Sequence, residues 1–250
     1  LSHPTETRRA ISPKWVVAAL LVVALTALFI RLGFWQLDRH AQRQEENRIG
    51  AERIQQEPVP LSSIIADTDL AGLRHRPVQA QGSFALEHEI LVRSQVHHGV
   101  AGFHVVTPLV MGDGSAVLVN RGWVPLGADE APIEEAAPPP GEVTVEGWVE
   151  PGQERPTFGP VDPEGRVVSR IDIARIGQQV PFDLAPFYLV AMGEEGALPE
   201  PVPTPAFDDN GPHLGYALQW FGFAATAVIG FALLWRKDRQ ASKARSGTTS

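Results

Sequence analysis

The chain has 250 residues, room for one ordinary domain plus extra segments, and its 44% apolar residues are unevenly spread. It contains no Cys and two Met, which excludes disulfides, Cys-ligated zinc, iron–sulfur clusters, thiolate copper carriage and a methionine copper cage. A net charge of −8 argues against a nucleic-acid binder, and 23 Gly with 22 Pro stay below the roughly 25–30% of low-complexity chains.

Residues 1–14 carry Arg8, Arg9 and Lys14 against Glu6. Residues 15–30 are uncharged; the run is interrupted by Arg31 and continues through Trp35, which predicts a first membrane span over residues 15–37. Arg31 lies about 24 Å along from Trp15, where a long stem can snorkel to the outer phosphates. Two rivals are a cleaved signal peptide and a twin-arginine export signal at Arg8-Arg9. No small-x-small cleavage site follows Ile30, and positive-inside anchoring explains the arginines equally well, so an uncleaved anchor is expected.

Residues 32–212 hold 12 Arg, no Lys and 27 acidic residues, so every Lys lies in the two ends. Basic flanks mark the cytoplasmic side, which predicts cytoplasmic termini (1–14 and 236–250) and an exported domain over 38–197. Residues 37–56 are polar with apolar points and continue the first span as helix. Period-2 alternation and β-branched residues predict strands at 78–84, 89–94, 103–110, 116–123, 143–149, 167–171 and near 187–191. A hairpin loop is expected at 111–115, a long exposed connection at 130–141, and a short helix at 172–179. Residues 198–212 hold five prolines and form an extended tether. Residues 213–235 contain no charge and are about 34 Å long as a helix, enough for a second span. The expected fold class is a membrane α+β protein, with two transmembrane helices flanking an extracytoplasmic, mainly antiparallel β domain, barrel or sandwich.

Catalytic motifs are sparse. His97, His98 and His104 form the main histidine cluster, but neighbours on a strand face opposite ways, so convergence on a metal is awkward; turn and edge roles are simpler. Neither His-Glu-x-x-His nor Gly-x-Ser-x-Gly occurs. Glu134-Glu135 and Glu194-Glu195 read as solvated loops, and no enzyme activity is expected. On the second span, His213, Tyr216, Ala217, Trp220, Ala224 and Ala227 fall on one stripe, with Gly215, Gly222, Thr226 and Gly230 roughly opposite. The small stripe suits close approach by the first span, which leaves the His–Tyr–Trp face free. A neutral imidazole there can ligate haem iron, with Arg31 at a comparable depth for the propionates; interfacial anchoring by the same three residue types is the other reading.

Four segments in order resemble the surfeit-locus-protein-one family of cytochrome c oxidase assembly factors. Gly33-Phe34-Trp35-Gln36-Leu37-Asp38-Arg39 is similar to its Gly-x-Trp-Gln-x-x-Arg signature. Gly102-Phe103-His104-Val105-Val106-Thr107-Pro108 and Val119-Asn120-Arg121-Gly122-Trp123-Val124-Pro125 resemble two of its strands. His213-Leu214-x-Tyr216-Ala217-x-x-Trp220-Phe221 is similar to the start of its last helix. The resemblance implies haem a handling, with His213 as axial ligand and Trp220 supporting the pocket; Tyr216 is added to the haem-binding residues from the stripe it shares with them. The implied partners are the oxidase core subunit, haem a synthesis machinery and the lipid bilayer. Arg121 would be a partner contact or an internal counterion. Other readings are a cofactor-free scaffold that docks on nascent oxidase subunits and an exported hydrolase, the latter needing a His–nucleophile or His–acid pair in a cleft. The residues ahead of the first span, Glu6 included, are unlike a mitochondrial presequence, so a bacterial plasma membrane is expected.

Overall fold

A computed structural model of the chain describes residues 12–65, 69–153, 166–209 and 211–247; the Arg8-Arg9 pair lies outside them. In chain order the elements are α1 (Pro13–Ile54), β1 (Val59–Pro60), α2 (Leu70–Leu73), β2 (Pro77–Phe84), β3 (Ile90–His97), β4 (Val100–Val110), β5 (Ala116–Pro125), β6 (Glu142–Pro151), β7 (Val167–Val168), α3 (Ile173–Ile176), β8 (Leu184–Ala191) and α4 (His213–Gly247). They divide into a helical unit, built from residues up to Arg48 and from Asp208 onward, and a β unit, Ile49–Phe207.

Among the described residues, α1 and α4 are the two helices long and apolar enough to cross a membrane, with mean hydropathy of 2.5 and 1.8 over their best windows. Burial on α1 recurs at Trp15, Ala19, Val22, Thr26, Phe29, Gly33, Gln36 and His40, a spacing of threes and fours that makes a coiled-coil-like seam. On α4 the seam runs through His213, Ala217, Trp220, Ala224, Phe231 and Trp235. Phe29 stacks on Trp220 at 5.7 Å and meets Phe223 at 5.9 Å, while Ala217 and Ala224 are buried beside them.

This corrects the expected orientation of α4. Its Gly215, Gly222 and Gly230 have nothing within 4 Å of where a side chain would start, and the His213–Trp220 stripe packs on α1 instead. The close approach is made by Gly33 of α1, whose missing Cβ would lie 2.6 Å from the Phe221 ring. Alanine already offers a small surface, and bulky Phe29 and Phe221 fill the gaps that glycines would leave empty. At the far end Trp15 Nε1 donates to Asp238 Oδ2 at 2.9 Å and lies against Phe231 and Trp235.

The β unit is a barrel. Its ring is β2-β6-β8-β5-β4, closed where Ser83 and Phe84 of β2 pair with Val110 and Leu109 of β4. β3 and β7 extend the sheet beyond β4, and β1 extends it beyond β2. Most neighbours are antiparallel as expected, but β8 runs parallel to β5, so the last strand is inserted between β6 and β5. Val78, Leu109, Val117, Val119, Val149, Phe187 and Leu189 fill the barrel. A second cluster centres on Trp148, Val106, Leu118 and Tyr188, with Ile173 and Ile176 of α3 packed on it. Asp172 caps that short helix, accepting from the Arg175 amide at 3.2 Å.

The connection 130–141 is less exposed than its composition suggests. Ala131, Ile133 and Ala136 are buried against Leu91, Phe103, Val105 and Val124 as a third cluster, while Glu134 and Glu135 face solvent. The proline-rich segment lies extended. Glu200 forms an antiparallel bridge with Trp123 of β5, by N–H donation from Trp123 to Glu200 O at 2.6 Å and from Glu200 to Trp123 O at 2.8 Å. Phe207 fills the space beside Gly50 and meets the His75 ring edge-on at 5.1 Å.

Candidate functional site

Among the described residues, four buried polar or charged residues lie in the β unit, Glu89, Thr107, Asn120 and Arg121, all within strands expected from the sequence. A bulge between β4 and β5 skips Arg121 in the register and turns its guanidinium inward. It pairs with Glu89 at 3.3 Å, donates to Ala136 O, and lies over the Phe84 ring at 5.5 Å. Burial lowers the Arg121 guanidinium below its ordinary value, and the Glu89 charge opposes this. Glu89 also accepts from Thr107 Oγ1 at 2.8 Å and from the Ile133 amide at 2.8 Å, so this glutamate, 1% exposed, is fully engaged. Arg121 is therefore an internal counterion, which decides between its two expected roles.

His104 belongs to the same frame. Asn120 Nδ2 donates to His104 Nδ1 at 3.1 Å, while Asn120 Oδ1 accepts from the Gly122 amide at 3.2 Å. Burial, helped by the nearby His97, pushes the imidazole down to about 4. A group with a lowered value in the fold stabilises it above the unfolded value and loses that contribution as pH falls. Between pH 6.5 and 4 the domain should therefore lose about 3 kcal/mol on this account, at about 1.4 kcal/mol per pH unit. Chemical unfolding of wild type and His104→Gln across that range checks it. The difference curve should carry the slope, and parallel curves would remove His104 as its source.

Two His–carboxylate pairs bear on the hydrolase reading. His97 Nε2 lies 2.7 Å from Glu200 Oε2 beside a cleft of about 610 Å³, and His75 Nδ1 lies 2.9 Å from Glu150 Oε1. The presence of one such pair at a cleft means that this simple criterion does not dispose of the hydrolase. Among the described residues, however, no hydroxyl hydrogen-bonds to either imidazole, and Glu200 is the bridge residue of the strap. His97 stacks on Trp123 at 5.4 Å and clamps that strap. Burial raises the Glu150 carboxyl, but the His75 hydrogen bond and Arg74 outweigh it and leave it lowered. Among the described residues no three His, Asp or Glu side chains are grouped to hold a metal ion.

The helical unit offers a different arrangement. His213 opens α4 directly after Pro212, and its Nδ1 faces Gln36 Oε1 of α1 at 2.9 Å. The amide oxygen accepts, so Nδ1 carries the proton and Nε2 keeps its lone pair. One turn beyond Gln36, the buried Nδ1 of His40 has no hydrogen-bond partner. Asn47 Nδ2, two turns beyond His40, donates to Asp209 O at 3.0 Å and tethers the approach to α4.

Of the residues expected around His213, Trp220 lies within the helix seam with its face against Phe29, and Tyr216 is 49% exposed. The free aromatic face that the sequence pattern suggested is therefore half occupied by α1 itself. Arg31 sits about 140° around α1 from Gln36 at 100° per residue, on a separate groove with Phe34, Trp35 and Asp38, so it does not share the His213 face. Sequence reasoning quoted Gln36 as part of a motif without a role, and missed His40. Their i, i+4 spacing on one stripe was the available signal.

The profile of the SURF1 family matches residues 23–225. An uncharacterized SURF1-like protein of Mycobacterium bovis is 30% identical over 94% of this chain and 89% of its own. A SURF1-like protein of Rickettsia felis is 26% identical over 86% of this chain and 96% of its own. Surfeit locus protein 1 of Gallus gallus is 34% identical over 50% of this chain and 44% of its own.

Proposed function

The chain belongs to the SURF1 family, and from that membership we propose that it is a membrane assembly factor for cytochrome c oxidase which holds haem a as cargo through His213. The family's standing as oxidase assembly factors supports the first half. The observation that carries the second is the His213–Gln36 hydrogen bond, because it orients the ring and leaves Nε2 bare as an iron ligand. Trp220, locked on Phe29, acts from below by holding α4 in register rather than by offering its own face to the macrocycle.

In this reading α1 and α4 cross the membrane, both termini lie on the cytoplasmic side, and the acidic β unit is outside. The Lys-free acidic middle between Lys-bearing ends supports that topology. The mycobacterial relative, aligned over 94% of the chain, favours a bacterial plasma membrane. Haem a would pass to the core subunit from the outer leaflet, with haem a synthesis machinery as the source and no turnover by this chain. Its cargo is then held by one neutral imidazole, strong enough to capture and weak enough to release.

The test is to produce the full chain in cells making haem a and record its absorption spectrum after purification in detergent. His213→Ala should lose the bound haem, and Trp220→Leu should reduce occupancy less severely. Unchanged stoichiometry in His213→Ala would end the ligand assignment. The occupied face of Trp220 favours one other reading, a cofactor-free scaffold; colourless wild-type protein that still co-purifies with oxidase subunits would select it.

A further inference from the structure

We infer that Gln36 is the positioning residue for His213: its amide oxygen fixes the imidazole tautomer and ring angle, and its neutrality keeps the bound haem releasable. The inference rests on the haem reading above and concerns a residue on the opposite helix, 177 positions away in the chain. A histidine at a helix start has a free χ rotation and two tautomers, only one of which presents Nε2 to iron. The Gln36 oxygen, 2.9 Å from Nδ1, removes both freedoms at once. Gln36 is itself held. It lies on the α1 seam three residues after Gly33, where the helices approach so closely that a Cβ would meet the Phe221 ring. A side chain packed there has few rotamers, so its oxygen is aimed before any cargo arrives.

The choice of amide over carboxylate has a consequence for the ligand. A carboxylate on Nδ1–H draws the proton, gives the ring imidazolate character and raises its basicity toward the metal, which suits a resident cofactor. A neutral amide oxygen orients the ring with much less electron donation. That combination suits transfer, where the ligand must be aligned yet exchangeable. Gly33 and Gln36 then belong to one device, the glycine bringing the helices together and the glutamine aiming the histidine.

The experiment uses the full chain in nanodiscs loaded with haem a, comparing wild type, His213→Ala, Gln36→Leu and Gln36→Glu. The readouts are haem affinity, the rate of haem transfer to an apo-globin acceptor and the midpoint potential of the bound iron. Gln36→Leu should weaken binding about 10–100-fold, the usual effect of losing such an outer partner. Gln36→Glu should restore retention, slow transfer and lower the potential, a tenfold preference for ferric iron corresponding to about 59 mV. Should Gln36→Leu fail to fold, the near-isosteric Gln36→Glu decides by the direction of its potential shift. If His213→Ala loses haem while both Gln36 variants match wild type in affinity, transfer and potential, Gln36 has no positioning role. If His213→Ala itself keeps haem with an unchanged spectrum, the ligand reading fails first and takes this inference with it.

Discussion

Arg121→Met is expected to destabilise the β unit by about 3–5 kcal/mol, the usual effect of stranding one member of a buried ion pair. The substitution keeps volume and apolar packing on Phe84 but leaves the Glu89 carboxylate, 1% exposed, with the Thr107 hydroxyl and the Ile133 amide as its remaining partners. The loss also frees Ala136 O and loosens the buried connection that carries Ile133 and Ala136. Pairing the change with Glu89→Gln removes the stranded charge and should return a large part of the stability. Urea unfolding of the full chain in micelles, followed by the fluorescence of Trp123 and Trp148, measures both. A single variant within 1 kcal/mol of wild type would mean that Glu89 finds solvent or a proton at little cost, and that the ion pair is not what holds the connection in place.

Gly122→Ala should cost about 2–5 kcal/mol and release the proline-rich strap. The residue has φ +137°, and a Cβ there would lie 2.3 Å from Glu200 O, a backbone atom that cannot swing away. The positive φ alone costs about 1–3 kcal/mol for a residue with a side chain. Displacing Glu200 also breaks the two bridge hydrogen bonds to Trp123, each worth about 0.5–1.5 kcal/mol, and strains the His97–Glu200 contact. Hydrogen exchange at the Trp123 and Glu200 amides reads the release separately from global stability. Wild-type protection at both amides in a destabilised variant would confine the effect to the backbone of β5.

Much of the architecture is legible in the chain because its signals are local. Two long uncharged runs give α1 and α4, and alternation in 78–84, 103–110 and 116–123 gives β2, β4 and β5. What is not legible depends on distant partners. The parallel placement of β8 beside β5 is a choice among several edges that alternation cannot rank. Glu89 heads the expected strand 89–94, and nothing local marks it as buried. Only the inward Arg121, brought round by a bulge, makes its burial tolerable. On α4 the pattern shows two stripes but not which one faces α1, because alanine and glycine both permit approach and the decision falls to Phe29 of α1 and to Phe221 of α4, which packs against Gly33. The candidate site was legible by halves: His213 stood out at the head of a charge-free helix, whereas Gln36 acquires meaning only once the two helices are paired.

The closure of β2 onto β4 has a further consequence for the β unit. A ring of strands offers no ladder of unpaired amides to a passing chain, and the outermost strands, β1 and β7, are two residues long. Along β3 the pairing with β7 stops at Val92, and Ser94 at φ +64° twists the strand before its tip. Runaway edge-to-edge polymerisation is thereby discouraged at each exposed border, so crowded nascent copies can mature side by side without templating one another.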